Sequence, residues 1–541
     1  MIHLRNHLLL LVPILALVIA CGDEEKARDR SDNPPEDPTA PAFEIVAESS
    51  EVRLVQGGEA FVRLRLEREE GFEKPITVTA RELPSGVFAD AREVLPGDSD
   101  ELELKVSATE EAAIGTATFS IRATAGDQSE TAEVSLFVAA PAGSPDADFG
   151  EDGIATTAGL APLGILWPYS YDAAVLPDDS FLLLSSSGTK TASGGSDYTG
   201  SYLFRYSADG RLDEAFGEDG VLRFGEGEGK RECGTLAAEG SSLLLGCAVL
   251  AANPESGADL DTAIFRLSAD GAVDDAFGEG GEARIEWDAA TVGGPAALVV
   301  DGEGRVVLAT SIRPVDGSPS DDAPAFARLL ADGTVDATFG EDGYLAPARQ
   351  GVVTALVALE GGGYLAAGTS SGDGIPVGFA LKLTAAGEED VTFGDEGWAF
   401  LDAPVVDAAE GPEGQLFLLV EAQAPEPGGV AALDGEGKSL PGFNGGAPQL
   451  FTGIEGGAIL VGADASIYVA GKPTDDAGPS LLRLGFDGSL DEAFATRTAE
   501  AAPSDATWLG QQSDGRILLA GHRRDPPDTW AHSLDLQRFW P

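Results

Sequence analysis

From Ala42 to about Ala140, apolar and polar residues alternate with a period of two. The stretches FEIVAE, EVRLVQ, AFVRLRLE, ITVTARE, ELELKVSA, ATFSIRAT and AEVSLFVA are separated by Gly, Pro or acidic turns. Such alternation puts successive side chains on opposite faces of a strand, so each stretch predicts a strand with one buried face. Seven strands in about 100 residues is the proportion of an immunoglobulin-like sandwich. No Cys and no Trp lies in this segment, so the antibody-type hallmarks are missing.

From Gly143 onward the pattern becomes a repeat. The phrase DxxFGxxG returns with its Phe at Phe149, Phe216, Phe277, Phe339, Phe393, Phe443 and Phe494, at gaps of 67, 61, 62, 54, 50 and 51 residues. A period of this size implies an array of like supersecondary units. Each unit divides into four apolar pieces: one after FGxxG, as in GVLRF, then one like TALVALE, one like GRILLAG, and one like TAIFRLSADG. Seven units of four short strands predict a seven-bladed β-propeller of four-stranded blades over 143–541. The fold class expected is all-β: an Ig-like β-sandwich over 42–140, then this propeller. If the strand after FGxxG is the outermost of each blade, residues near Ile154 close the ring against the last blade.

Inside the repeat, Asp-Gly is a favoured turn dipeptide, and with the turn near Asp209 the residues Arg205 and Asp213 lie opposite one another. The same offsets from the Phe give Arg266 and Asp274, Arg328 and Asp336, Lys382 and Asp390, and Arg483 and Asp491. One internal unit has Ala432 and Leu440 instead, so base and acid are lost together. That joint loss points to a cross-strand ion pair rather than to a ring of catalytic groups. The Phe reads as a wedge between neighbouring blades.

The chain start carries its own signal. Arg5 precedes an apolar run from Leu8 to Ile19 that is short for a membrane span and contains Pro13. Val18-Ile19-Ala20-Cys21 resembles a bacterial lipoprotein lipobox, with Val18 where the family prefers Leu. The resemblance implies a signal peptide over 1–21, lipidation of Cys21, and an extracytoplasmic protein held by a lipid anchor. Gly22 stands where inner-membrane retention would need Asp, so the outer membrane or cell surface is the expected location. Residues 22–41 are charged and Pro-rich, as a solvated tether would be. In an oxidising compartment the other two cysteines, Cys233 and Cys247, are equidistant from Gly240 and predict a cross-strand disulfide.

The repeat domain, roughly 143–541, resembles the delta-60 repeat family of bacterial secreted and surface proteins, most specifically in LDEAFGEDG (Leu212 to Gly220). The resemblance implies a β-propeller and a surface context, and it implies no activity. Phe443 followed by Asn444, and Phe494 followed by Ala495, depart from the family pattern.

Charge and motifs narrow the function classes. With 91 acids against 34 bases the formal charge is −57, which repels nucleic acid and anionic headgroups. After signal removal only His522 and His532 remain, and no HExxH, Walker loop, CxxC or dinucleotide fingerprint occurs. GTSSG (Gly368 to Gly372) satisfies GxSxG in letters but leaves a strand into a loop, not into a helix. No EF-hand spacing occurs, so no cofactor is expected, and calcium between blades rests on acidity alone. Trp167, Tyr169, Tyr171, Trp287 and Trp398 could form a carbohydrate platform, with core packing as the plainer fate. Inserts at Ser187–Ser201 and Asn253–Leu260 mark a rim where binding would be sought.

The reading is a non-enzymatic, lipid-anchored monomer presenting a propeller to a protein or glycan ligand. The alternatives are a propeller-fold hydrolase or lyase acting on an extracellular polymer, which needs titratable groups converging in the channel, and a calcium-dependent structural adhesin.

Overall fold

The computed structural model describes residues 42–49, 51–157, 168–190, 196–225, 231–249, 261–287, 290–292, 294–314, 321–370, 376–422, 427–474, 480–498, 505–524 and 532–541. It divides into two compact units, one ending at Val138 and one running from Ala139 to Pro541.

The first unit folds into two antiparallel sheets. One has the spatial order Phe43–Ala47, Glu59–Arg68, Glu101–Ala108, Val87–Ala89; the other has Glu51–Val55, Gln128–Ala139, Gly115–Ala125, Ile76–Arg81, Arg92–Val94. The alternation determines the faces: Val62, Leu64 and Leu66 are buried while Phe61, Arg63 and Glu67 between and beside them are exposed. Both sheets contribute to one core, with Val62 and Leu104 from the first and Ile121 and Leu136 from the second. Among the described residues nine strands are present where seven were expected. The additional two, Val87–Ala89 and Arg92–Val94, are three residues long, too short for alternation to register in the sequence.

Among the described residues, the second unit contains seven antiparallel sheets. The second of them is typical: Arg231–Glu239, Ser242–Val249, Asp261–Leu267 and Glu282–Ile285 pair in chain order. The strand after FGxxG is therefore the outer edge of the preceding sheet, as Val221–Phe224 is of the first. Leading strands of successive sheets touch one another in sequence: Pro168–Val175, Arg231–Glu239, Ala297–Val300, Val352–Ala358, Val405–Glu410, Ile454–Val461 and Asp505–Gln511. The last of these returns to Pro168–Val175, so the leading strands surround a common centre. The strands next to them are covered on both faces, which is why they read as continuous apolar runs such as Leu243, Leu244 and Leu245.

The ring is closed by the two ends of the second unit. Ile154–Thr156 pairs with His532–Phe539, Ile154 opposite Gln537 and Thr156 opposite Asp535. The N-terminal strand of the unit thus completes the sheet made by the C-terminus and removes a free edge.

The sixth sheet departs from the four-strand expectation. Among the described residues it has three strands, and the helix α1 (Glu492–Thr498) follows them. Ala495 occupies the place of the Gly that turns the chain elsewhere, and EAFATRT contains no Gly to stop a helix. The Asp491 carboxylate accepts the Phe494 N–H at 3.0 Å, capping the helix start. At Phe443 the residues Asn444, Gly445 and Gly446 all take positive φ and make a tighter turn in place of GxxG.

Seven of the eight hydrophobic clusters lie between neighbouring sheets, and each contains one of the recurring Phe residues. Phe277, for example, sits with Leu244 and Ile264 of the second sheet and with Val306 and Leu308 of the third. All seven rings are buried.

Candidate functional site

The repeated charged residues meet in space and reach further than the hairpin. Arg266 and Asp274 approach to 2.8 Å, Arg328 and Asp336 to 2.8 Å, Lys382 and Asp390 to 3.4 Å, and Arg483 and Asp491 to 2.6 Å. Arg205 is looser, 3.7 Å from Asp213 and 3.5 Å from Asp178. Four of these bases also donate to a carbonyl in the equivalent Gly-containing turn of the next sheet: Arg205 to Ala269, Arg266 to Ala331, Arg328 to Ala385 and Lys382 to Gly435. Four also lie over the Phe of their own repeat, Arg266 at 4.8 Å from the Phe277 ring and Arg483 at 5.0 Å from Phe494. Each of these four bases therefore ties acid and ring together, and most reach a neighbouring sheet as well. Where the pair is absent, Leu440 packs into the cluster around Phe443. The glycine of the turn has a steric reason: at Gly210 a Cβ would lie 2.8 Å from the Phe149 ring, and its φ is +78°.

A sixth pair escaped the sequence reading. Asp146 precedes Phe149 as Asp213 precedes Phe216, and its base is Arg538, from the other end of the chain. Arg538 Nε donates to Asp146 at 2.9 Å and Nη1 to the Ala208 carbonyl at 2.8 Å, and the guanidinium stands 4.9 Å from the Phe149 ring. Arg516 reaches the same carboxylate at 3.3 Å. The usable signal was the register position: Arg538 faces Leu518 as Arg205 faces Leu182.

Cys233 and Cys247 are directly opposite in register and form a buried disulfide. Closing 14 residues of chain separation is worth about 3 kcal/mol in the chain-entropy account. Replacing both cysteines by Ala is expected to lower the urea midpoint accordingly. The intact mass of native protein should show no free thiol until it is unfolded in reductant; two alkylatable thiols in native protein would overturn the assignment.

Cys21, Trp167 and the insert Asn253–Leu260 lie outside the described residues, as do Gly372 and the side chains of Tyr169, Tyr171 and His532. Trp398 is fully buried, with its Nε1–H on Glu389 at 3.2 Å, so it belongs to no surface platform. Ser370 ends the strand Tyr364–Ser370 and pairs with Val377, the first residue of the next strand, Val377–Leu383. No group of three metal-ligating side chains lies together among the described residues, and no described helix is long and apolar enough to cross a membrane.

Two features carry chemistry. The first is a pair of carboxylates on the leading strands. One register position of those strands, opposite the fourth residue of the neighbouring strand's apolar run, is filled by Asp172, Thr235, Ala297, Ala355, Asp407, Ala458 and Trp508 around the ring. Asp172 accepts the N–H of Leu236 in the second sheet at 2.8 Å; Asp407 accepts the N–H of Ile459 in the sixth at 2.9 Å. Each also accepts the N–H of the residue after it. Enclosure by protein pushes the Asp172 carboxyl up to about 7, against the pull of the Leu236 and Ala173 amides, and the charge of Asp407 adds to the rise. Enclosure likewise raises Asp407 to about 6. Both side chains retain some solvent access, as groups lining an enclosed space do. A carboxyl that titrates near neutrality can give or take a proton.

The second feature is an open cleft of about 930 Å³ on the perimeter, lined by the second, third and fourth sheets. Its walls include Trp287, Tyr344 and Leu345, with Glu286, Glu341 and Glu388 at its edge. Trp287 and Tyr344 meet edge to face, 5.7 Å apart at 75°, and Trp287 Nε1–H donates to Thr262 Oγ1 at 3.2 Å, which fixes the indole.

No curated protein matches the chain. Among solved structures, a quinonprotein alcohol dehydrogenase-like protein from Bacteroides thetaiotaomicron aligns at 11% identity over 82% of this chain and 92% of its own, with a TM-score of 0.35. A DUF4623 family protein from Bacteroides eggerthii aligns at 10% identity over 88% and 89%, with a TM-score of 0.30. Domains 4 and 5 of the S-layer protein SbsC align at 20% identity over 18% of this chain and 53% of theirs, with a TM-score of 0.14. Residues 303–339 match the family described as "Domain of unknown function (DUF5122) beta-propeller". With the closed ring of sheets around it, that match makes the unit from Ala139 to Pro541 a β-propeller.

Proposed function

We propose that the chain is a lipid-anchored, extracytoplasmic, monomeric binding protein. An Ig-like domain carries a seven-bladed propeller, and Cys21 holds the whole at the outer membrane or cell surface. The observation that carries the binding role is the perimeter cleft, where a fixed Trp287–Tyr344 pair packs at the margin of the core between the second and third sheets and still presents part of its surface to solvent. Such a surface fits a protein or glycan ligand and needs no cofactor. Peptide and glycan arrays probed with the full chain and with Trp287→Ala test it: signals that vanish in the variant support the reading, and signals that persist unchanged sink it. The anchor is checked separately by the mass of the N-terminal peptide, which should carry acyl chains on Cys21.

A second reading has one observation in its favour. Asp172 and Asp407 are two perturbed carboxylates on the leading strands that surround the ring's centre, which suits a hydrolase or lyase working on a polymer. It requires that some extracellular polysaccharide be cleaved, and that Asp172→Asn reduce the rate at least about 100-fold, the lower range for loss of a general acid or base.

A further inference from the structure

We infer that the perimeter cleft takes a cationic side chain, an arginine or lysine presented by a protein partner; the inference rests on the binding reading above and specifies its ligand. The argument is one of donors and acceptors. Four glutamates line the cleft, Glu286, Glu341, Glu388 and Glu389, and no Lys, Arg, His, Asn or Gln does. A carboxylate only accepts hydrogen bonds. The indole N–H of Trp287 is already given to Thr262, which leaves the Tyr344 hydroxyl as the side-chain donor available among the lining residues. Burial and the nearby Glu286 carboxylate push that phenol above its ordinary value, so it stays protonated.

A sugar presents hydroxyls that both donate and accept, and an anionic one adds repulsion; in this cleft much of its accepting capacity would go unmatched. A guanidinium or ammonium offers donors alone and so complements the lining. The aromatic pair adds to the match, since ring faces attract cations, and Leu345 and Pro347 offer apolar surface to the aliphatic stem. Glu389 is oriented by the Trp398 indole at 3.2 Å, so one carboxylate of the four is fixed before a ligand arrives. The formal charge of −57 steers a basic partner toward the surface, but it does so everywhere; selectivity has to come from the cleft.

Calorimetric titration of the full chain with the peptide acetyl-Gly-Ser-Arg-Ser-Gly-amide, and with the same peptide carrying citrulline, separates charge from shape. The arginine peptide is expected to bind at least tenfold tighter. Glu286→Gln with Glu388→Gln should reduce it to the citrulline level, and Tyr344→Ala should weaken it about fivefold while leaving every charge in place. Glu130→Gln with Glu133→Gln, an equal loss of charge in the other unit, should leave it unchanged. Equal binding of the two peptides, or an equal loss from the remote pair, overturns the proposal as general attraction to an acidic protein. If a neutral oligosaccharide binds and Trp287→Ala abolishes that binding, the binding reading stands and the cationic ligand falls. If neither peptides nor oligosaccharides bind, both fall.

Discussion

Arg538→Ala is expected to cost about 3 kcal/mol, the lower end for breaking a buried ion pair. Arg538 and Asp146 are 5% and 7% exposed, so removing the guanidinium leaves a buried carboxylate with Arg516 and the Asp148 N–H as its remaining partners. The same change takes the donor from the Ala208 carbonyl and the cation from the Phe149 ring, both on the seam where the chain ends meet. The Arg205 pair is longer and more open, so Arg205→Ala should cost only about 0–1 kcal/mol. Urea unfolding of the full chain measures both. Hydrogen exchange adds a local readout, because the Ile154–Thr156 strand depends on the seam and its amides should exchange faster in Arg538→Ala. Arg538→Met combined with Asp146→Leu should recover part of the loss, since it leaves no unpaired charge. A cost for Arg538→Ala no larger than for Arg205→Ala would show that the ends are held by strand pairing alone.

What the sequence disclosed follows the reach of its regularities. The seven Phe residues and the apolar pieces were legible because a fixed period repeats them, and the cysteine pair because both residues are equidistant from one turn. Arg538 and Asp146 were not legible by the same rule. Their separation is 392 residues, and counting back from Phe149 by the usual offset leads to Val138, in the other unit. Asp491 was legible as an acid facing Arg483, but its second task, capping a helix where a strand was expected, depends on the missing Gly at Ala495. Asp172 and Asp407 could not be singled out among 91 acids, because only their place on the leading strands distinguishes them. Trp287 was visible as an aromatic, but the glutamates around it come from three sheets and adjoin it only in the fold.

The folded protein should become more stable as pH falls from 8 to about 5.5, and Asp172 with Asp407 should account for much of that slope. Their carboxyls titrate near 7 and 6 in the folded state and near 4 in an unfolded chain. A group whose folded value is raised binds its proton more tightly when folded. Its stabilising contribution is therefore complete below about pH 4 and is lost as pH rises through 6 and 7. The ion-paired and turn aspartates act in the opposite sense. Asp336, Asp390 and Asp491 are held below the usual carboxylate range by hydrogen bonds and by their bases, against the opposing effect of partial burial. Their contribution is present at neutral pH and is lost as pH falls below about 4. A stability maximum near pH 5 follows from the two sets together. General repulsion among 91 acids also favours lower pH, so the slope of the wild-type protein alone does not isolate the pair. The combined variant Asp172→Asn, Asp407→Asn does isolate it, because each Asn keeps an oxygen to accept the Leu236 or Ile459 amide while losing the charge. At about 2 kcal/mol for each carboxylate after allowance for solvent access, the variant's Tm should change between pH 5.5 and 8 by on the order of 4 °C less than the wild type's. Parallel Tm profiles for the two proteins would mean that neither carboxyl is perturbed in the folded ring, and they would remove the observation that favours catalysis there.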